Sequence, residues 1–377
     1  MTVLVDLGQS AITLFVFALM LGVLVIVHEL GHFVVARAAR VRVLEFGIGF
    51  PPRARVLRSH GETLYTLNWL PLGGFVKLEG EDGASDDPHS FTRSGLPLKL
   101  VILVAGVAMN VLLALAIFTA IGWLPGQTGA LGFQVVQPNS PAALAGLHGT
   151  GSSTNPASGD RIVSVDGASF HDFDGGGRMI DLLRSRAGQS VTLTVLHPNG
   201  TTANVVVTLR TPAQLDAAHG PLGIQGATFT PLTTTFTRSP GEALAFGLAR
   251  TSEAFSLVSS GLGQLGDAIV NRPTQAPPVQ GPVGIAVGVG DVFWQQGPIA
   301  TLYLAGLLSA NLALVNILPL PPLDGGRMVV LVLKRLVGTR LSVQLERLTY
   351  LVGFGVLMAF LAWITFFDIA RQLGGGG

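Results

Sequence analysis

Residues 11–36 read AITLFVFALMLGVLVIVHELGHFVVA. A hydrocarbon core takes about 20 apolar residues of helix to cross, and this stretch is long enough. Its first seventeen residues, Ala11–Val27, carry no charge at all. The run then meets Val27-His28-Glu29-Leu30-Gly31-His32 without a break. An ionisable side chain at membrane depth costs at least ~2.5–3.5 kcal/mol, so groups placed there are expected to have a use. His28 and His32 stand four apart, which on a helix is about 40° of rotation, so both imidazoles can reach one metal ion. Hydrolysing an amide with zinc requires groups that hold the ion, activate water and accept its proton. Two histidines and Glu29 supply most of that.

Composition agrees with a membrane setting. The 377 residues are 49% hydrophobic and only 12% charged, too apolar for an ordinary soluble chain. Net charge is +1 and the arginines are scattered, which gives a nucleic-acid surface no support. No cysteine is present, so disulfides, thiolate ligands and a cysteine nucleophile drop out together, and the redox compartment stays open. Any metal must rely on His, Asp or Glu.

Three further segments could span a bilayer: Leu100–Leu124, Ile299–Leu320 and Leu348–Phe367. The first span has no Lys or Arg before Arg37 and no small-residue cleavage site, so it reads as a retained helix rather than a signal peptide. The glycines at 374–377 have no packing potential. Nine basic residues lie between spans one and two, and Arg327, Lys334, Arg335, Arg340 and Arg347 lie between spans three and four. Both loops are therefore expected in the cytoplasm, with both termini outside and residues 125–298 extracytoplasmic.

A third zinc ligand is sought near the end of another span. Asp324 follows span three in Asn316-Ile317-Leu318-Pro319-Leu320-Pro321-Pro322-Leu323-Asp324-Gly325-Gly326. Three prolines in four positions forbid a regular helix there, and an extended turn would aim Asp324 at the centre. Helix capping is the competing role for this aspartate. Beside an incomplete zinc motif at the same membrane face, the ligand role is the better reading.

In the first loop, Val41–Phe50 and Thr63–Lys77 read as short strands broken by Gly47, Gly49, Pro51 and the 71–74 turn. Such a sheet would line a protein cavity at the membrane surface and could offer an edge to an extended peptide. Residues 132–137, 161–165, 191–196 and 203–209 look like strands, and 141–147 and 178–186 like helices. The stretch Val136-Gln137-Pro138-Asn139-Ser140-Pro141-Ala142, with Ala145-Gly146-Leu147, Gly159-Asp160-Arg161-Ile162 and Val165-Asp166-Gly167, resembles a PDZ domain. A Gly/Ser/Thr/Asn-rich insertion at 149–158 departs from that pattern and is expected to be a loop. An amphipathic helix at 241–270 and a proline-rich connector at 273–282 follow.

Taken together, these motifs resemble the site-2 proteases, in their bacterial PDZ-containing branch. The resemblance covers nearly the whole chain: the HELGH segment, Gly47-Ile48-Gly49-Phe50, Leu72-Gly73-Gly74-Phe75-Val76-Lys77, Gly106 to Asn110, Gly281-Pro282-Val283-Gly284-Ile285, and the Asn316 to Gly325 motif. It implies zinc held by His28, His32 and Asp324, with Glu29 activating water. It also implies that Asn316 holds the substrate backbone or the tetrahedral intermediate, and that the 41–77 loop, through Gly73 and Gly74, pairs with unwound substrate. The expected fold is an α-helical polytopic membrane protein with about four transmembrane helices, a membrane-associated β loop and one extracytoplasmic α+β PDZ domain. Its expected divisions are 1–124, 125–226, 227–298 and 299–373. The implied activity is zinc-dependent intramembrane cleavage, in a bacterial cytoplasmic membrane, of single-span substrates such as anti-sigma-factor-like regulators or remnant signal peptides. The lipid bilayer and a peptide ligand of the PDZ domain are the other expected partners.

Two departures from the family pattern stand out. One PDZ-like region is present where some relatives have two, and Arg327 follows Gly325-Gly326 where a His is expected. Asn110 and Asn311 read as polar glue between helices. His60, His89, His148, His171, His197 and His219 have no partner at ligand spacing and are expected to be solvated. A membrane-anchored PDZ scaffold would have no reason to carry buried ionisable groups. A transporter would want paired broken helices in two related halves, and one proline-broken segment is present.

Overall fold

The uncharged run and the motif that ends it form one helix, α1 (Thr2–Ala38), in a computed structural model that describes residues 2–81, 83, 85–151, 153, 155–171, 175–216, 219–272, 276–337 and 343–374. Positions 152 and 154 of the expected insertion, 273–275 of the connector, Arg340 and the last three glycines lie outside the described residues. The chain divides into two compact units, Met1–Gly122 with Pro240–Gly377, and Trp123–Ser239.

In the first unit, four helices have the length and apolarity to cross a membrane: Gly8–Ala38, Leu96–Trp123, Pro298–Asn316 and Leu348–Gln372. The last three belong to α2 (Leu96–Trp123), α7 (Pro298–Asn316) and α9 (Val343–Gly374). Small residues let these helices approach closely, the usual basis of helix packing in lipid. A Cβ on Gly31 would come 2.3 Å from the Ala105 carbonyl oxygen of α2, and one on Gly306 of α7 2.8 Å from the Phe118 ring. The third expected span, drawn to Leu320, stops at Asn316, because the prolines that follow cannot continue it.

Between α1 and α2 the two expected short strands are one long antiparallel hairpin, β1 (Val43–His60) with β2 (Thr63–Leu78). The glycines and prolines expected to break these strands instead sit at shifts in their register. Gly49, at φ +79°, is one of them, and a Cβ there would lie 2.4 Å from the Leu70 carbonyl oxygen. The base of β1 packs inward and its distal half is exposed.

The amphipathic stretch is α5 (Pro240–Asn271). After it comes a helix that the sequence reading missed, α6 (Pro282–Gln296). Its first turn is held by the buried Asp368 of α9, which accepts from the backbone N–H groups of Gly281 (3.2 Å) and Gly284 (2.8 Å). Trp294 of α6 donates its indole N–H to Thr13 of α1 at 3.0 Å.

The second unit is mixed α and β. A six-stranded antiparallel sheet has the order β10-β3-β6-β5-β7-β8, built from β3 (Gly126–Gly132), β5 (Arg161–Val165), β6 (Ala168–His171), β7 (Ser190–Leu196), β8 (Thr202–Thr208) and β10 (Thr228–Phe236). A second pairing joins β4 (Val135–Val136) to β9 (Ile224–Gln225). The strand expected at 132–137 is thus divided between the end of β3 and β4. Along β7 the alternation sends Val191, Leu193 and Val195 into the core. There they meet Met179 and Leu183, one turn apart on α4 (Gly175–Ser185), together with Leu131, Phe133 and Ile162. The short helix α3 (Pro141–Leu144) is capped by Ser140, whose hydroxyl accepts from the Ala143 N–H at 3.2 Å.

Candidate metal centre

His28 and His32 face the interior of the first unit, at 6% and 8% exposure, although α1 as a whole is largely uncovered. Their Nε2 atoms lie 3.2 Å apart. Asp324 arrives from the other end of the chain, as the first residue of α8 (Asp324–Val337). It is the first residue of that helix, where the capping alternative had placed it just before one, and its carboxylate points at the histidines.

The backbone explains how. Residues 317–322 fold back over the first turn of α8, where a Cβ on Gly325 would lie 2.2 Å from the Ile317 carbonyl oxygen, and one on Gly326 2.4 Å from the Leu320 carbonyl carbon. Two glycines are what let the proline loop close on the helix. That closure sets Asp324 Oδ2 at 3.0 Å from His28 Nε2 and 3.3 Å from His32 Nε2.

Three ligand atoms at mutual distances of 3.0, 3.2 and 3.3 Å are what a small tetrahedral cation needs. Bonds of about 2.0–2.2 Å to zinc place neighbouring ligands roughly 3.3 Å apart. Among the described residues this is the one His/Cys/Asp/Glu cluster with such geometry. Asp324 Oδ2 is buried and has no hydrogen-bond partner, despite two imidazole nitrogens beside it. An anionic oxygen and two imidazole nitrogens converging on one point suit a divalent cation of zinc's size.

Helix α2 backs both imidazoles. His32 Nδ1 donates to the Ile102 carbonyl at 2.7 Å, which leaves the Nε2 lone pair facing the cluster. Asn110 places its amide 3.3 Å from His28 Nδ1. Between them sits Gly106, where a Cβ would lie 2.4 Å from His32 Nε2 and 2.7 Å from His28 Cε1. The side chain of Asn110, expected to glue helices, does bridge α2 to α1, and the partner it meets there is a member of the cluster. Its backbone carbonyl does join helices, accepting from Ser309 of α7 at 2.8 Å. No sequence spacing links residues 28 and 110, so this contact could not be read in advance.

Glu29 is half-buried beside the cluster, and the sheet comes to it: a Cβ on Gly74 would lie 3.8 Å from Glu29 Cγ and 2.9 Å from the Gly47 carbonyl oxygen. Gly73, at φ +87°, turns against the Phe50 ring. Asn316 is half-buried at the end of α7, outside the three-residue cluster. Arg327, one turn along α8 from Asp324, forms an ion pair with Glu81, whose other oxygen accepts from the Leu78 N–H at 3.0 Å. The arginine that departs from the family pattern thus ties the helix that begins at Asp324 to the end of β2.

Histidines expected to be free are not all so. His197 Nδ1 pairs with the buried Asp160 at 2.7 Å, and His219 with Asp216 at 2.8 Å. His60 is exposed, and the side chain of His171 lies outside the described residues.

Comparison with known proteins points the same way. Residues 16–360 match the profile of Peptidase family M50. A candidate zinc metalloprotease of Clostridium perfringens is 31% identical over 356 residues, covering 94% of this chain and 98% of its own. Another, from Synechocystis, is 31% identical over 354 residues, covering 90% and 89%. The zinc metalloprotease RasP of Geobacillus kaustophilus is 25% identical over 437 residues, covering 94% and 97%. A match of this extent, on a chain with four apolar membrane-length helices that brings two imidazoles and a carboxylate to one point, places the protein in peptidase family M50 as an integral-membrane, site-2-type zinc metalloprotease.

Proposed function

We propose that the protein is an intramembrane endopeptidase that cuts membrane-tethered, single-span substrates at the centre formed by His28, His32 and Asp324. One observation carries the reading: His28 and His32 of a membrane-length helix meet the orphaned carboxylate oxygen of Asp324 in a metal-sized cluster, next to a strand that reaches the adjacent Glu29.

When bound, zinc supplies Lewis acidity and makes water a competent nucleophile at neutral pH. His28 Nε2, His32 Nε2 and Asp324 Oδ2 would hold the ion. Glu29 accepts the proton of the attacking water on its carboxylate and passes it to the leaving amine. The substrate is presented as an extended strand beside Gly73 and Gly74, and Asn316 holds its backbone.

The topology has both termini outside and the centre towards the cytoplasm, in a bacterial inner membrane, on the argument of the basic loops. The Trp123–Ser239 unit acts as an extracytoplasmic PDZ domain. In support, β10 stands at one edge of the six-stranded sheet and α4 packs against it, an arrangement suited to adding a peptide strand. Anti-sigma-factor-like regulators and remnant signal peptides are the substrate classes, with the PDZ unit screening what reaches the membrane.

The test is cleavage of a single-span reporter substrate by detergent-solubilised protein, with zinc measured in parallel. Glu29→Gln should keep zinc and lose cleavage. Cleavage by Glu29→Gln at the wild-type rate would remove Glu29 from the mechanism, and absence of zinc from the wild type would refute the centre.

A further inference from the structure

We infer that Asn110 is a positioning residue of the metal centre, whose side-chain oxygen accepts the Nδ1 proton of His28 and so directs the Nε2 lone pair at the ion. The inference rests on the proposed ligand role of His28 and extends it to a residue on another helix.

A neutral imidazole has one N–H and one lone pair. His28 Nε2 points at Asp324 Oδ2 and His32 Nε2, so holding a cation requires the lone pair there and the proton on Nδ1. A buried N–H without an acceptor costs about 1–3 kcal/mol. Asn110 is where an acceptor is available: it is fully buried, and its amide reaches Nδ1 at 3.3 Å. With the amide nitrogen towards Nδ1, the imidazole proton would have to sit on Nε2, aimed at the cation, while Asn110 Oδ1 stays buried without a partner. A half-turn of the carboxamide exchanges its two ends at almost no change in shape and makes oxygen the acceptor. The proton then sits on Nδ1 and the lone pair on Nε2.

The same helix treats the other histidine alike. His32 Nδ1 already donates to the Ile102 carbonyl. Ile102, Gly106 and Asn110 stand four residues apart, so they share one face of α2. Its two ends supply an acceptor for each imidazole, and the bare glycine between them makes room for both rings. Ser309 fixes the helix at Asn110 from the other side through its hydrogen bond to the backbone carbonyl.

The experiment measures zinc affinity by chelator competition on the full chain in detergent, together with the visible spectrum of the cobalt-substituted protein. Asn110→Leu should weaken zinc about 10–100-fold, the usual cost of losing such a partner. Asn110→Asp, which keeps an acceptor oxygen in place, should restore affinity to within a few-fold of wild type and a wild-type cobalt spectrum. If Asn110→Leu does not fold, Asn110→Ala removes the amide without added bulk and is compared with Asn110→Asp instead. Wild-type affinity in the leucine or alanine variant overturns the inference. So does an aspartate variant as weak as the alanine, since that would assign Asn110 a donor or packing role. A wild-type chain that binds no zinc refutes instead the ligand role of His28 on which the inference stands.

Discussion

Among the described residues, two buried aspartates are flanked by pairs of histidines, and they are built to opposite ends. Asp160, in the Trp123–Ser239 unit, is 3% exposed and satisfied on both oxygens: Oδ1 meets His197 Nδ1 at 2.7 Å, and Oδ2 accepts the His148 backbone N–H at 2.8 Å. Its own N–H donates to the His148 carbonyl at 2.8 Å, and the His148 ring stays in solvent. This cluster is complete as it stands, and it pins together the two ends of the 149–158 loop. Asp324 has two histidine nitrogens within 3.3 Å and still leaves Oδ2 without a hydrogen bond. A carboxylate whose neighbours are all acceptors or misaligned is an unfinished polyhedron. Similar residue types therefore give a staple in one unit and a socket in the other, and the difference lies in which atoms face each other.

The sharpest way to break that contrast is to exchange the two losses. Asp324→Ala should abolish zinc retention and reduce cleavage of the reporter to background, as should chelation of the wild type, while the melting transition of the Trp123–Ser239 unit stays in place. Zinc content and calorimetry on the same preparation read both effects. Asp160→Ala should do the reverse, keeping zinc while destabilising its own unit by about 3–5 kcal/mol, the cost of removing one side of a buried polar pair. Faster limited proteolysis within 123–239 would report it, and loss of zinc from this variant would abolish the distinction. The smallest effect is expected at His197→Ala, about 1 kcal/mol, because its ring is partly solvated and Asp160 keeps its backbone partner. A cost equal to that of Asp160→Ala would mean that the imidazole, not the backbone, fastens the loop.

Much of this was legible in the sequence because membrane chemistry limits what charge can do. An uncharged run that ends in His-Glu-Leu-Gly-His announces both a helix and a site, and β5 fell on the residues expected, Arg161–Val165. The rest escaped for physical reasons. The 282–296 segment, just past the proline-rich connector expected at 273–282, carries three glycines and gave no helix signal, yet it folds as α6 with its first turn satisfied by Asp368, far along the chain. Pro51 and the 71–74 turn looked like strand breakers, but register shifts absorb them in a hairpin whose partner strand lies alongside. Asn110 gave only the generic signal of an amide in a membrane helix, since its contact with His28 exists only once α1 and α2 meet at Gly31 and Gly106. Asp324 could be found because prolines and glycines mark the loop that delivers it. Asn110 had no such mark.

The cluster also has a timetable. His28 and His32 lie on α1, and Asp324 follows them in the chain after the hairpin, the whole Trp123–Ser239 unit and four further helices, α2, α5, α6 and α7. Until Asp324 is synthesised and the proline loop has closed over Gly325 and Gly326, the nascent chain has the two imidazoles without the carboxylate that completes the cluster. On the proposed ligand set, a nascent chain that has not yet reached Asp324 cannot fire on the membrane proteins being inserted around it.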